Sequence, residues 1–475
     1  MTKRRFQTVA KFCEDCGLKT HFLYGDLHEF PADKDGRMDK FVSWMSSCKD
    51  MCRVWYGPFE CFIFAVNPEF VKIAVTNADS KDNLVYDLLR PWLGDGLLLT
   101  GGNRWIRQRR LLTNAFHFEI LRPYCKIFAQ SAQIFLDKLS ASGGRSIDVY
   151  RLVSLMTLDS ILRCAFSYES KCQTNENDPY IRAVYDLSEC VTQRTRIFPY
   201  HNDVIFHLSP MGRRFRRLCH LVHAKSDATI KERRKELVRL TKEGNVGCRR
   251  KYLDFLDVLL EAKDEDGQGL NDSEIREEVN TFMFAGHDTT ASAISWCLYN
   301  LAKYPEIQQK CQVEIDQLLQ DRENGQLDWE DLNSLPFTTM CIKESLRMHP
   351  PVPYVARTLV KDITMPNGLQ ISKGTTISIG IIGLHHNSLY WPNPEQFDPT
   401  RFSAEKDRHS HAFIPFSAGP RNCLGQHFAM DELKVVVAMT LHQYSIRVDQ
   451  SKPSIWVSKV VLRSLDGIHL HFNRR

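Results

Sequence analysis

The sequence lacks several features that would place it in common protein classes. It has no uninterrupted apolar run of about 18 residues, so no membrane-spanning helix is predicted. It has no phosphate-binding loop, and Gly94-Asp95-Gly96 lacks the later glycine of a dinucleotide fingerprint. Internal repeats and low-complexity tracts are also missing. These absences favour a single large domain without a nucleotide-binding fold of its own.

The charge balance excludes another class. The 475 residues carry a formal net charge of only +5, whereas nucleic-acid binding requires a concentrated basic stripe. With 43% hydrophobic residues, the chain can bury a substantial core. The 15 cysteines are odd in number and scattered, which favours reduced thiols in a cytosol-facing protein over a disulfide framework.

One cysteine spacing leaves an alternative open. Cys13 and Cys16, followed by Cys48 and Cys52, can be drawn as a four-thiolate zinc site. The second spacing is wider than usual for such a site. A metal assay on the purified protein separates the two interpretations.

Periodicity predicts a mainly α fold with a small β-sheet region. Helical patterns dominate from Asn67 to Leu346, with Asn67 as an N-cap and Pro68 at the first helical position. Two strand pairs are predicted, Arg53–Tyr56 with Cys61–Val66 and Ser458–Leu462 with Ile468–Phe472. We interpret residues 1–52 as an N-terminal segment without a membrane anchor and residues 53–475 as one domain.

The segment from Phe416 to Gly425 predicts a metal-ligating cysteine. Gly419 and Gly425 allow a tight turn and a close approach of the backbone to a bound group. Arg421 can pair with a carboxylate through its planar guanidinium, and Phe416 can shield the Cys423 sulfur. Apolar residues then recur at helical spacing after Cys423. The alternative is an ordinary glycine and proline loop that holds a buried cysteine.

This segment resembles the haem-binding signature of cytochromes P450. The resemblance implies the P450 fold, a haem b cofactor and Cys423 as the axial iron ligand. It also implies that Arg421 pairs with a haem propionate. Trp105 and Arg109 match the family's Trp-x-x-x-Arg segment, so both should face the propionates from one helix. Arg357 is a further propionate candidate.

A second segment resembles the family's structural ion-pair network. Glu344 and Arg347 share one face of a helix that is predicted to start near Pro336 and to stop before Pro350. Alone, such a pair is usually a surface ion pair. The resemblance adds Arg401, and implies a buried network whose loss prevents haem incorporation.

A third segment lies in the apolar run from Ile275 to Leu301. Gly286 in mid-helix and a Thr hydroxyl bonded back to the preceding turn are expected to open a groove. The resemblance implies that Thr289 donates a hydrogen bond to dioxygen in this groove and that Asp288 connects it to bulk protons. The alternative is a kink in a buried helix.

The resemblance is sharpest for the branch that hydroxylates fatty acids and eicosanoids near the chain end, including the leukotriene hydroxylases. The similar segments are Pro91–Leu98, Ala115–Phe118, Thr281–Phe284 and Phe413–Phe416. Many members of the branch have a glutamate at the position of Ala285, and that glutamate forms an ester with a haem methyl. We therefore expect non-covalent haem, a less rigid pocket and relaxed terminal-carbon selectivity.

The resemblance implies a haem-thiolate monooxygenase that inserts one oxygen atom of O2 into a lipophilic substrate. Electrons would come from NADPH-cytochrome P450 reductase, with cytochrome b5 as a further donor. The docking face is expected to include Arg107, Arg110, Lys343 and Arg421. Two alternatives stay open, an isomerase or dehydratase of oxidised lipids that needs no external electrons, and a haem-binding protein without turnover.

The family location implied by the resemblance is the cytosolic face of the endoplasmic reticulum membrane. Members of this kind normally carry an N-terminal anchor, which the given sequence lacks. Attachment to the membrane surface through the basic stretch Met211–Val222 is one interpretation, and a solvated helix face is the other.

Overall fold

A computed structural model describes residues 18–475, apart from residue 23 and residues 30–36, 57–59, 81–83, 170, 175–178, 243–253, 321, 323–326 and 404–407. Helices dominate the described residues. They are α1 (Arg37–Ser47), α2 (Pro68–Thr76), α3 (Leu84–Leu93), α4 (Gly102–Thr113), α5 (Phe118–Leu121), α6 (Tyr124–Ala141), α7 (Val149–Phe166), α8 (Pro179–Arg196), α9 (Asp203–Leu208), α10 (Pro210–Lys242), α11 (Phe255–Glu261), α12 (Asp272–Lys303), α13 (Pro305–Leu319), α14 (Pro336–Met348), α15 (Ile381–His386) and α16 (Gln426–Gln443).

The described strands form one larger sheet and three small ones. They are β1 (Met51–Tyr56), β2 (Glu60–Ala65), β3 (Ala78–Ser80), β4 (Ile147–Asp148), β5 (Val355–Leu359), β6 (Ile363–Thr364), β7 (Gln370–Ile371), β8 (Thr376–Ile379), β9 (Tyr444–Val448), β10 (Trp456–Ser458), β11 (Leu462–Ser464) and β12 (His469–Arg474). The larger sheet has the order β1-β2-β8-β5-β3, in which only β2 and β8 pair in parallel. The others are β10-β11, β4-β12-β9 and β6-β7.

Helix α12 runs through the core and carries the predicted groove residues. It begins with a capping box, in which Asn271 and Glu274 satisfy each other's backbone N–H groups. It packs most extensively against α7, which is buried on nearly all sides. The mainly α fold with a small β-sheet region is therefore confirmed, as is the Asn67 cap, whose side chain accepts from the Glu69 backbone at 2.9 Å.

The second predicted strand pair is wrong in its partners. Residues 459–461 form the turn of a hairpin between β10 and β11, so Ser458–Leu462 is not one strand. Strand β12 pairs instead with β9, with Leu470 opposite Val448. The error arose because a Gly-containing turn indicates a nearby hairpin, whereas β12 finds its partner in a strand that ends about twenty residues earlier.

The cysteine alternative finds no support in the part of the chain that the structure describes. Cys13 and Cys16 lie outside the described residues. Cys48 takes part in a disulfide, so its sulfur is not available as a thiolate ligand, and Cys52 is a buried cysteine. Among the described side chains, no group of three or more His, Cys, Asp and Glu is arranged to hold a metal ion. None of the described helices is both long and apolar enough to cross a membrane.

Candidate haem-thiolate site

The Cys423 loop places one sulfur at the surface of an internal cavity. Cys423 is the exposed cysteine of the described chain, whereas ten other thiols are buried. Its backbone N–H donates to the carbonyl oxygen of Phe416 at 2.9 Å, which closes the loop just before α16 begins. Phe416 and Gly425 line the same cavity. The loop therefore presents a sulfur to the cavity in a fixed position.

Two left-handed residues shape this loop. Gly419 has a φ of +72°, a backbone conformation that favours glycine. A Cβ there would also lie 2.8 Å from the backbone oxygen of Val75, so there is no space for a side chain. Ser417 is not a glycine and yet has a φ of 59°, a strained conformation that functional loops often retain. At Gly425 the φ is negative, and its nearest neighbour would be a Phe116 carbon at 3.7 Å. A Cβ at Gly425 would therefore make an ordinary van der Waals contact, and no left-handed backbone requires glycine there.

Arg357 fastens the strained serine. It lies on β5, is 1% exposed, and donates to the Ser417 hydroxyl and to the Ala356 carbonyl, both at 2.9 Å. Burial lowers the pKa of Arg357, because the charged guanidinium is removed from water. An anionic partner would offset the free-energy cost of burying this cation.

Two further arginines reach the same cavity from the loop and from α4. Arg421 is 5% exposed, donates to the Thr100 carbonyl at 2.8 Å and lies over the Trp105 ring at 4.5 Å. Arg109 donates to the Asn422 carbonyl at 2.9 Å and to its side-chain oxygen at 2.8 Å. Burial lowers the pKa of Arg109, and the nearby Cys423 opposes that shift. Trp105 and Arg109 thus lie one helical turn apart at the cavity, as their spacing requires.

The cavity lining carries one sign of charge. Among the described lining residues there is no Asp or Glu, whereas four are cations: Arg109, Arg357, Arg421 and Lys459. Most of the remaining wall is apolar and aromatic. Haem fits this arrangement, because its two propionates would meet the arginines, its iron the Cys423 sulfur, and its macrocycle the apolar wall.

Helix α12 borders the cavity on the side of the predicted groove. Ala285, Gly286, Thr289 and Thr290 line it. The Thr289 hydroxyl donates to the Ala285 carbonyl at 2.7 Å, and the helix continues through this point without a break. A Cβ on Gly286 would lie 2.8 Å from the Ile161 side chain, so this glycine permits close packing against α7 rather than a gap in the helix.

Asp288 does not line the cavity. Its side chain is fully buried and accepts two hydrogen bonds from the Arg463 guanidinium, at 2.7 and 2.6 Å. Arg463 belongs to β11 and lies over the Tyr185 ring at 4.2 Å. The Asp288 carboxylate, which the resemblance links to the groove, is thus held by Arg463 and does not face the cavity. Arg463 carried no sequence signal, because its contact with α12 joins residues 175 positions apart.

Glu344, Arg347 and Arg401 meet in one buried network behind the cavity. The Glu344 carboxylate accepts from Arg347 at 2.8 and 2.9 Å and from Arg401 at 3.2 Å. Arg347 also donates to the carbonyls of His385 and Pro394 at 2.9 and 2.7 Å. Side-chain exposure is 0% for Glu344 and Arg347 and 7% for Arg401.

The predicted docking face is only partly available. Arg421 is buried in the cavity wall. Arg107 is paired with Asp264 at 2.7 Å, and Arg110 is paired with Glu265. Sequence reasoning missed both acids because they lie more than 150 residues away along the chain. Lys343 stays half-exposed at the surface.

A second, larger cavity adjoins the first. Its volume is about 790 Å³, against about 310 Å³ for the cavity at Cys423. Both volumes lie in the range of small-molecule sites, roughly 300–1,000 Å³. The two cavities share four wall residues, Val85, Tyr354, Lys459 and Val460. We call the larger one the outer chamber. A long ligand that crosses the shared wall would contact both.

A fixed sulfur, a ring of cations and an apolar wall define the site of a haem-thiolate protein. Comparison with known proteins then gives the family: a family model described as Cytochrome P450 matches residues 17–470. The chain is 44% identical to cytochrome P450 4A24 of Sus scrofa over 96% of this chain and 90% of that protein. It is 48% identical to human cytochrome P450 4F3 over 89% of this chain and 82% of that protein. This chain belongs to the cytochrome P450 family and is a haem-dependent monooxygenase.

Proposed function

We propose that this P450 hydroxylates fatty acids or eicosanoids near their methyl end. The observation that carries the proposal is that the Cys423 cavity and the larger, mostly apolar outer chamber share four wall residues. An elongated apolar substrate that spans both cavities would bury its chain. The similarity to P450 proteins of the 4A and 4F groups supports the same substrate class.

We assign the haem contacts residue by residue. Cys423 would ligate the haem iron, with Phe416 shielding its sulfur, while Gly419 and Gly425 would let the loop approach the macrocycle. Arg109, Arg357 and Arg421 would bind the propionates, with Trp105 beside Arg421. Bound in this way, haem b supplies the reductive activation of dioxygen.

The haem would be held without a covalent link, because Ala285 at the cavity wall has no group that can form an ester. Extraction of the denatured holoenzyme with acidified organic solvent should therefore release its haem completely. The matched variant Ala285→Glu supplies a carboxylate at that position, and it should retain a fraction of haem on the protein. Retention of haem by the unaltered protein would contradict the assignment.

Thr289 and Asp288 would deliver protons to the bound dioxygen. The Thr289 hydroxyl lies at the cavity and donates to the Ala285 carbonyl, so it would have to release that carbonyl before it donates to dioxygen. Asp288 would supply protons only after it leaves Arg463. We therefore expect Asp288→Asn to keep substrate binding and to waste electrons, with NADPH consumption exceeding product formation. Unchanged coupling in Asp288→Asn would remove Asp288 from the proton route.

Electrons would come from NADPH-cytochrome P450 reductase, with cytochrome b5 as a further donor. Lys343 is half-exposed on α14, and no ion pair with a described residue compensates its charge. A surface cation of this kind would attract an acidic donor. Charge reversal at Lys343 should slow reduction by the reductase and should weaken its dependence on salt.

The cytosolic face of the endoplasmic reticulum membrane is the proposed location. Three large apolar side chains are exposed on α9, just before the basic stretch Met211–Val222. Their exposed fractions are 67% for Val204, 48% for Ile205 and 75% for Leu208. The arginines at positions 213, 216 and 217 follow on α10. An apolar tip flanked by cations suits an anionic membrane surface. Flotation with anionic vesicles tests this, and Leu208→Ser should reduce the bound fraction.

The deciding experiment combines a spectrum with turnover. The reduced, carbon monoxide-bound protein should show the absorption band of thiolate-ligated haem, and Cys423→Ser should lose it. With reductase and NADPH, laurate or arachidonate should yield a hydroxylated product. Conversion of a fatty-acid hydroperoxide without reductant would instead indicate isomerisation or dehydration, and a spectrum without any turnover would indicate a haem-binding protein.

A further inference from the structure

The outer chamber has few charged side chains in its described wall. They are one acid, Glu189, and two cations, Arg196 and Lys459. Lys459 is paired with Glu189 at 2.9 Å, and the Gln193 amide donates to the other oxygen of that carboxylate at 2.8 Å. The acid and the lysine therefore compensate each other, and Arg196 carries the remaining positive charge.

Two arginines at the end of α8, Arg194 and Arg196, differ in their partners and in their exposure. Arg194 is 2% exposed, donates to the Tyr200 carbonyl at 2.8 Å, is paired with Asp203 and lies over the Phe206 ring at 4.0 Å. Its role is to fasten the chain that follows α8. Arg196 is exposed, and it forms no ion pair with any of the described residues. Its guanidinium is thus available to a ligand in the chamber.

Arg196 also lies close to the wall that the two cavities share. Burial raises the pKa of Tyr354, whereas the Ser458 hydrogen bond and the charge of Arg196 oppose that rise. Tyr354 lines both cavities. The apolar tail of an anion bound to Arg196 would therefore reach the wall that the two cavities share.

We propose that Arg196 anchors the carboxylate of a lipid acid in the outer chamber while the hydrocarbon chain extends past Tyr354 toward Cys423. The planar guanidinium matches a carboxylate with two parallel hydrogen bonds. This inference rests on the proposed function and names the part of the substrate that the outer chamber recognises. Arg196 is a positioning residue, because it would bind the end of the substrate that does not react.

The test compares two ligands of equal chain length on the haem-loaded enzyme. Laurate carries a carboxylate and 1-dodecanol does not, and the binding of each is titrated by the absorbance change of the haem. Arg196→Gln should raise the dissociation constant of laurate about tenfold, as expected for loss of one charge-assisted contact. The dissociation constant of 1-dodecanol should stay unchanged. Arg196→Lys should restore part of the laurate affinity.

Arg182→Gln is the matched control, because Arg182 is an exposed arginine of the same helix that lines neither cavity. It should bind laurate as the unaltered enzyme does. Unchanged laurate affinity in Arg196→Gln, or an equal loss for both ligands, would overturn the anchor. The proposed function would survive that result, since the unaltered enzyme would still oxidise laurate. An unaltered enzyme that neither binds nor oxidises laurate would overturn the substrate class together with the anchor.

Discussion

Two groups of buried arginines in this protein differ in what their charge meets. Arg347 and Arg401 share the Glu344 carboxylate, and their other donors end on backbone carbonyls. Arg357 and Arg421 are buried to a similar degree, yet their described partners are a hydroxyl, carbonyls and an aromatic ring. The first group shares a protein carboxylate, whereas Arg357 has no described acid partner and both members of the second group line the Cys423 cavity, where a ligand carboxylate would meet them. One residue type therefore serves stability in one place and cofactor binding in another.

The largest expected effect follows from breaking the compensated group. Glu344→Gln leaves two buried guanidiniums without their carboxylate, which costs about 3–5 kcal/mol of folding free energy. Little soluble protein should incorporate haem. Thermal unfolding and the ratio of haem to protein absorbance measure both effects, and a variant with normal stability would show that the network is dispensable.

A second substitution should separate the two groups. Arg357→Leu removes a buried cation that has no described acid partner, so the fold should persist while haem binding weakens. Loss of a charged contact to a propionate costs at least about 2 kcal/mol, or roughly thirtyfold in affinity. The rate of haem transfer to an excess of apomyoglobin measures this loss. Equal haem retention in Arg357→Leu and the unaltered enzyme would contradict the propionate assignment.

Glu432 is a buried acid, in contrast to the buried arginines of the cavity wall. It is fully buried on α16, and burial raises its pKa to about 8, more than the Ser160 and Thr290 hydroxyls lower it. The ordinary pKa of a glutamate is 4.5. Between that pH and about 8, Glu432 therefore holds a proton in the folded state that it releases in the unfolded state. Its contribution to stability is complete below pH 4.5 and is lost as the pH rises toward 8, by at most about 1.4 kcal/mol per pH unit.

The measurement compares the unaltered enzyme with Glu432→Gln, which cannot titrate. Between pH 6 and pH 8 the free energy of unfolding of the unaltered enzyme should fall relative to that of the variant. Parallel pH profiles for the two proteins would show that Glu432 does not hold a proton in the folded state.

The smallest effect is expected for an ion pair at the surface. Arg110 and Glu265 are paired, but their side chains are 68% and 83% exposed. Water and salt screen such a pair. Arg110→Gln should therefore leave the unfolding temperature and the haem content unchanged. A clear loss of stability would weaken the distinction between buried and exposed arginines on which the comparison rests.

The sequence predicted local features well because local chemistry determines them. Capping at Asn67, the helix limits near Pro336 and Pro350, and the loop before Cys423 depend on residues close in the chain. The sequence did not predict that Arg463 pairs with Asp288, or that acids pair with Arg107 and Arg110. These contacts join segments that are distant in the chain. The outer chamber was missed for the same reason, because its walls come from several separate stretches of chain.

The contact between Gly419 and Val75 has a mechanical consequence. The loop that holds the sulfur rests on the last turn of α2 so closely that no side chain fits between them. Helix α2 directly follows β2 of the larger sheet. A side chain introduced at Gly419 would therefore have to displace the loop from α2, and the sulfur of Cys423 would move with the loop.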